Sequence, residues 1–202
     1  MEEATTFLSS LVAPPPVVNG YSIVQQTGAN ANRIEMVFLG DGYTSGQLGT
    51  TYLQHVGNLV TYLFDDSLLT EPFGRYHNFF NIYAVNVVSN ESGADKETPG
   101  KTVDTALGAT FFADGVTDRL LDINVQLAGE ALSIGLQGSG IVPDMKFVTV
   151  NTGVYGGAGG SFATFAGGNA APNELALHEM AHSFVGLADE YTAAGTGGQS
   201  GS

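Results

Sequence analysis

The chain has no cysteine. That excludes disulfides and removes any reading of redox compartment from the sequence. Basic residues are scarce too: 6 Lys+Arg stand against 20 Asp+Glu, a formal net charge of −14. Such a surface suits nucleic acid and anionic membranes poorly and metal cations or cationic ligands better, with solubility as its plainer use. No stretch approaches the roughly 20 apolar residues of a membrane span. Residues 1–10 hold neither a basic n-region nor an apolar core long enough for a signal peptide, so the expectation is a cytoplasmic chain or one whose export signal has been lost. A Gly-x-Ser-x-Gly elbow, a phosphate-binding loop and a dinucleotide fingerprint are absent as well, so the sequence carries none of those enzyme signatures.

What is present points to one domain. A chain of 202 residues with 43% hydrophobic content can bury a full core. Pro14-Pro15-Pro16 reads as a stiff connector, which divides the chain into an N-terminal segment, 1–18, and a domain, 19–202. Residues 33–39 form an apolar strand closed by Gly40-Asp41-Gly42, and residues 46–64 follow with helical spacing at Leu48, Tyr52, Val56, Leu59 and Leu63. Residues 79–88 are strongly β-prone, so a strand–helix–strand start predicts a parallel pair. Residues 117–136 read as a helix with a break and 145–150 as a buried strand. A Gly-rich segment, 154–166, ends in alternating Ser161-Phe162-Ala163-Thr164-Phe165. The expected class is α/β (α+β): a twisted mixed sheet with a parallel β-α-β start, an edge strand near 159–166 and a helix near 172–186.

That last helix carries His178-Glu179-Met180-Ala181-His182. Residues four apart lie on one helix face about 6 Å apart along the axis, so both imidazoles reach one tetrahedral ion. Glu179 is rotated by about 100° from His178, which sets its carboxylate beside the ion, where it can take a proton from water as general base. With 4 His in 202 residues, such a pattern is expected about 0.004 times by chance. Pro172 suits a first helical turn, and Gly186 can end the helix. The bland alternative makes both histidines hydrogen-bonded core residues. A zinc site needs a third protein ligand. In long-consensus metzincins a glycine three residues past the second histidine turns the chain and delivers that ligand three residues later. Here the glycine is Gly186, four past His182, and Asp189 lies three beyond it; Glu190 is the alternative third ligand.

Three blocks in order resemble the bacterial IgA-peptidase family of zinc metallopeptidases. They are Phe38-Leu39-Gly40-Asp41-Gly42-Tyr43-Thr44; Pro72-Phe73 with Phe79-Phe80-Asn81-Ile82-Tyr83-Ala84-Val85-Asn86-Val87-Val88-Ser89-Asn90-Glu91-Ser92-Gly93; and the histidine helix with Gly186-Leu187-Ala188-Asp189-Glu190-Tyr191. The resemblance implies a metzincin-like (zincin-like) catalytic domain, one catalytic Zn²⁺, endopeptidase activity on protein or peptide substrates, and secretion. It carries the metal ligands onto His178, His182 and Asp189 and the general base onto Glu179. Metzincins also carry a methionine turn after the third ligand, whereas the last methionine here is Met180 and the tail is Gly/Ser-rich. A truncated C-terminus is therefore expected. The competing function is a catalytically weak or inactive module for extracellular protein or glycan binding.

Other residues carry less. An edge strand beside the metal can hold extended peptide by main-chain hydrogen bonds, which makes Gly159, Gly160, Ser161 and Phe162 substrate-binding candidates against a plain connecting loop. Asp41 between glycines shapes a turn or orients a ligand. His55 and His77 lack ligand-spaced partners and read as helix-surface and loop residues. Tyr191 could donate to the site or simply pack. Acidic loops would tolerate structural Ca²⁺, but no contiguous calcium-loop pattern supports it.

Overall fold

The computed structural model describes residues 13–65 and 70–187. Its frame is a six-stranded sheet of β1 (Val17–Gln25), β2 (Ile34–Asp41), β3 (Phe80–Val88), β4 (Met145–Val150), β5 (Gly157–Ala158) and β6 (Ala163–Ala166), in the order β1-β3-β2-β4-β6-β5. The four inner strands run parallel, and the two outer ones pair antiparallel with β3 and β6. Inner strands covered on both faces need continuous apolar runs, and seven of the eight residues of β2 are buried.

Alternation then sorts side chains to two layers. Met36, Phe38, Ile82, Phe147 and Phe165 face one side, packed with Val56, Leu59 and Leu63 of α1 (Leu53–Asp65). Val37, Leu39, Val85 and Val148 face the other, with Ala128 and Ala131 of α2 (Val125–Gly135). Helix α3 (Pro172–Met180) joins the first layer through Leu175, Ala176 and Met180. As the spacing predicts, β2, α1 and β3 form a parallel strand–helix–strand unit, with a π-helical turn at Leu48–Tyr52 leading into α1.

Three elements differ from expectation. Only Val125–Gly135 of the segment 117–136 is helical, started by Asn124, whose side chain accepts the Gln126 and Leu127 N–H groups. Ahead of that cap, Leu121 and Ile123 are buried two apart, the period of a strand, and Leu120 bridges to Gly157. In place of an edge strand near 159–166, the outermost strand is Gly157–Ala158; Ala163–Ala166 pairs with it and lies inside, with all four of its residues buried and β4 on its other side. Strand β1 has no counterpart in the sequence reading. Register shifts after Val18 and Ile23 break its alternation, so its pattern carries no period of two. Among the described residues no helix is long and apolar enough to cross a membrane.

Candidate active site

Pro172 occupies the first turn of α3, where its missing N–H costs nothing. The helix buries Leu175, Ala176, Glu179 and Met180 and leaves His178 exposed. Past Met180 it continues as a π turn, Ala181–Val185, and stops at Gly186 in the left-handed region, φ 69 and ψ 29. A π turn closes i→i+5 rings and so holds one residue more than an α turn. The three residues between His182 and Gly186 lie in this turn. Gly186 N–H donates to His182 O and Leu187 N–H to Ala181 O, each at 3.2 Å, an αL-type cap that reverses the chain.

The reversal reaches back to the histidines. Leu187 O lies 2.6 Å from His182 Nδ1. A carbonyl only accepts, so Nδ1 carries the proton, and in the neutral ring Nε2 holds a lone pair. His182 Nε2 stands 3.1 Å from His178 Nε2, the rings edge to face at 4.6 Å between centroids. One ligand atom from each of His178, Glu179 and His182 falls within 4.8 Å of the others. Nitrogens each about 2.0–2.1 Å from a tetrahedral zinc lie about 3.3–3.4 Å apart, close to the observed separation. A second-layer carbonyl on the distal ring nitrogen is also what metal-bound histidines use to hold tautomer and orientation. The donor set therefore fits zinc. Among the described residues no other group of three or more His, Cys, Asp or Glu side chains is gathered closely enough to share an ion, so the acidic loops form no calcium cluster of that kind.

Asp189, Glu190 and Tyr191 lie outside the described residues. Of the candidate substrate contacts, Gly159 packs against His182, and Gly160 N–H donates to Ser183 Oγ at 3.1 Å. Ser161 lines a small cavity of about 30 Å³ with Ser183 and Phe184. Phe162 does not face the site: it is buried in the second core layer, with the Lys146 ammonium 5.1 Å from its ring centroid. Strand addition is also narrower than expected. Gly157 N–H already donates to Arg119 O, and its carbonyl accepts Leu121 N–H, so that part of the edge is occupied. A cavity of about 290 Å³ opens beside His178 and Glu179, walled by Arg119, Tyr155 and Glu174. Sequence reasoning missed Arg119 and Tyr155, which come from separate loops with no motif around them.

Asp41 is neither a turn former alone nor a ligand group. It is fully buried, and it accepts Ser89 Oγ–H at 3.2 Å and Leu107 N–H, Ala109 N–H and Thr105 Oγ1–H at 2.9 Å each. Burial pushes its carboxyl above the usual range, and the Leu107, Ala109 and Thr105 donors pull it partly back. Gly42 meets Gly93 there, since a Cβ on Gly42 would stand 2.1 Å from Gly93 O, and the first two sequence blocks become one hub. His55 is half-buried, 2.7 Å from Tyr43 OH through Nδ1, and burial lowers its pKa.

A mixed α+β sheet with a helix presenting paired histidines and a buried glutamate at the edge strand is the zincin-like class of fold. No curated protein matches the chain. The family described as IgA Peptidase M64 matches residues 23–200, and the chain belongs to it. Membership makes it a metallopeptidase-family protein, a hydrolase whose substrates are proteins or peptides.

Proposed function

We propose that the chain is a zinc-dependent endopeptidase, with His178 and His182 holding the ion, Asp189 as third ligand (Glu190 the alternative) and Glu179 as general base. The observation that carries this is the facing pair of Nε2 atoms at 3.1 Å, with His182 Nδ1 committed to Leu187 O. Zinc, when bound, supplies Lewis acidity that makes water a nucleophile near neutral pH and polarises a carbonyl. Glu179, 7% exposed, takes the proton from the attacking water and passes it to the leaving amine. The chain reversal at Gly186 supports Asp189, which follows Leu187 by two residues.

The test is metal content and casein or peptide cleavage by the purified chain, before and after chelation, beside Glu179→Gln. About one zinc per chain is expected, with cleavage lost on chelation and restored by zinc. Glu179→Gln keeps zinc and loses cleavage; cleavage at the parent rate overturns the assignment. Zinc binding without any cleavage by the parent favours the binding-module reading.

A further inference from the structure

We propose that Gly157 and Gly159 are positioning residues, whose bare backbone, in the edge strand β5 and directly after it, seats Glu179 and His182. The inference rests on the functional reading above. Gly157 lies in β5 and Gly159 directly follows it, and the backbone of both faces the histidine helix. A Cβ on Gly157 would stand 2.9 Å from Glu179 Oε1, 3.0 Å from its Cγ and 2.9 Å from Thr164 O of β6. A Cβ on Gly159 would stand 2.6 Å from His182 Cβ and 3.5 Å from Glu179 Oε2. One glycine thus opposes the base and the other opposes a metal ligand.

The strand cannot retreat to make room. β6 holds it on one side, Arg119 and Leu121 bond to Gly157 on the other, and Gly160 N–H ties its end to Ser183. An added methyl meets the helix's side chains and, at Gly157, the Thr164 carbonyl of β6 as well. The carbonyl is held in the sheet, so at Gly157 the group that yields is the carboxylate, at the end of a flexible stem. At Gly159 it is His182 Cβ, one bond from the helix backbone. The two substitutions should therefore fail differently.

The experiment compares Gly157→Ala and Gly159→Ala with the zinc-loaded parent, reading zinc affinity by chelator competition, the absorption spectrum of the cobalt form, kcat and KM on one peptide, and the melting temperature. Gly157→Ala should lower kcat about 10- to 100-fold with zinc affinity and KM near parental. Gly159→Ala should weaken zinc about 10- to 100-fold and shift the cobalt spectrum. Gly135→Ala, equally tight at 2.4 Å from Val85 Cγ1 but remote from the site, should lower the melting temperature alone. Placing Glu179→Asp in the Gly157→Ala background withdraws the carboxylate by one methylene, so the double variant should exceed the product of the single effects on kcat. Parental kcat in Gly157→Ala, parental zinc affinity in Gly159→Ala, or no coupling in the double variant overturns the proposal. If the alanine variants do not fold, Ser183→Ala removes the strand-to-helix bond without adding an atom, and parental zinc affinity there is equally adverse. A parent without zinc, or an active Glu179→Gln, sinks the functional reading instead.

Discussion

Asp41 and Glu179 are both buried carboxylates, one at the carboxyl end of β2 and the other on α3, and their surroundings set them apart. Asp41 is ringed by donors of the fold: two backbone N–H groups and two hydroxyls divide its oxygens evenly. Glu179 instead lies against glycine backbone of the edge strand, in a three-residue group with His178 and His182, and lines a cavity of about 290 Å³. A carboxylate saturated by its own fold acts as a tie. One placed beside two imidazoles at an open cleft is where the proposed function puts proton transfer.

The largest effects separate the two directly. Glu179→Gln should reduce turnover about 10²- to 10⁴-fold with an unchanged melting curve. Asp41→Ala should do the reverse, leaving the Leu107 N–H unpaired and the Ala109 N–H with Thr105 Oγ1 alone, and lowering unfolding free energy by on the order of 2–4 kcal/mol, with turnover per folded molecule retained. Turnover lost in folded Asp41→Ala would place the hub within the site and break the comparison. Next, Asp189→Ala should weaken zinc retention at least about 10-fold more than Glu190→Ala, measured by chelator competition; the opposite order moves the third ligand.

A subtler contrast is with pH. Burial raises the Asp41 carboxyl, and Glu35 likewise, above the ordinary range. A raised folded-state pKa means the native protein binds the proton more tightly. That contribution is complete below the unfolded carboxylate pKa of about 3.9 and fades as pH rises through the folded value. Urea midpoints between acid and neutral pH should therefore fall less steeply in Asp41→Asn than in the parent, whereas identical slopes would remove Asp41 as a source. The smallest effect belongs to Phe162→Leu: about 1 kcal/mol of stability and no change in KM, as befits a core side chain rather than a substrate contact.

Much of this was legible along the chain because its periods were strong and local. The continuous apolar run of β2, the helical spacing of α1 and the i, i+4 histidines each state their structure within one element. Where the sequence misled, a non-local partner overrode the local pattern. Leu121 and Ile123 resemble a helix turn until Gly157 bridges to Leu120 beside them, and Phe162 looks like an edge residue until the second core layer closes over it. Arg119 and Tyr155 had no local signal at all, since only the folding of separate loops brings them to the cavity beside Glu179.

The sequence by itself determined the histidine pair, the glutamate between them and the glycine that ends their helix, because a helix converts fixed spacing into a shared face. Tertiary structure alone decided how close the edge strand comes and what Asp41 does. Those depend on residues far apart in sequence, Gly157 and Gly159 against α3 and the 105–109 backbone against β2. Contact distance between elements is a property of their packing, which no single segment encodes.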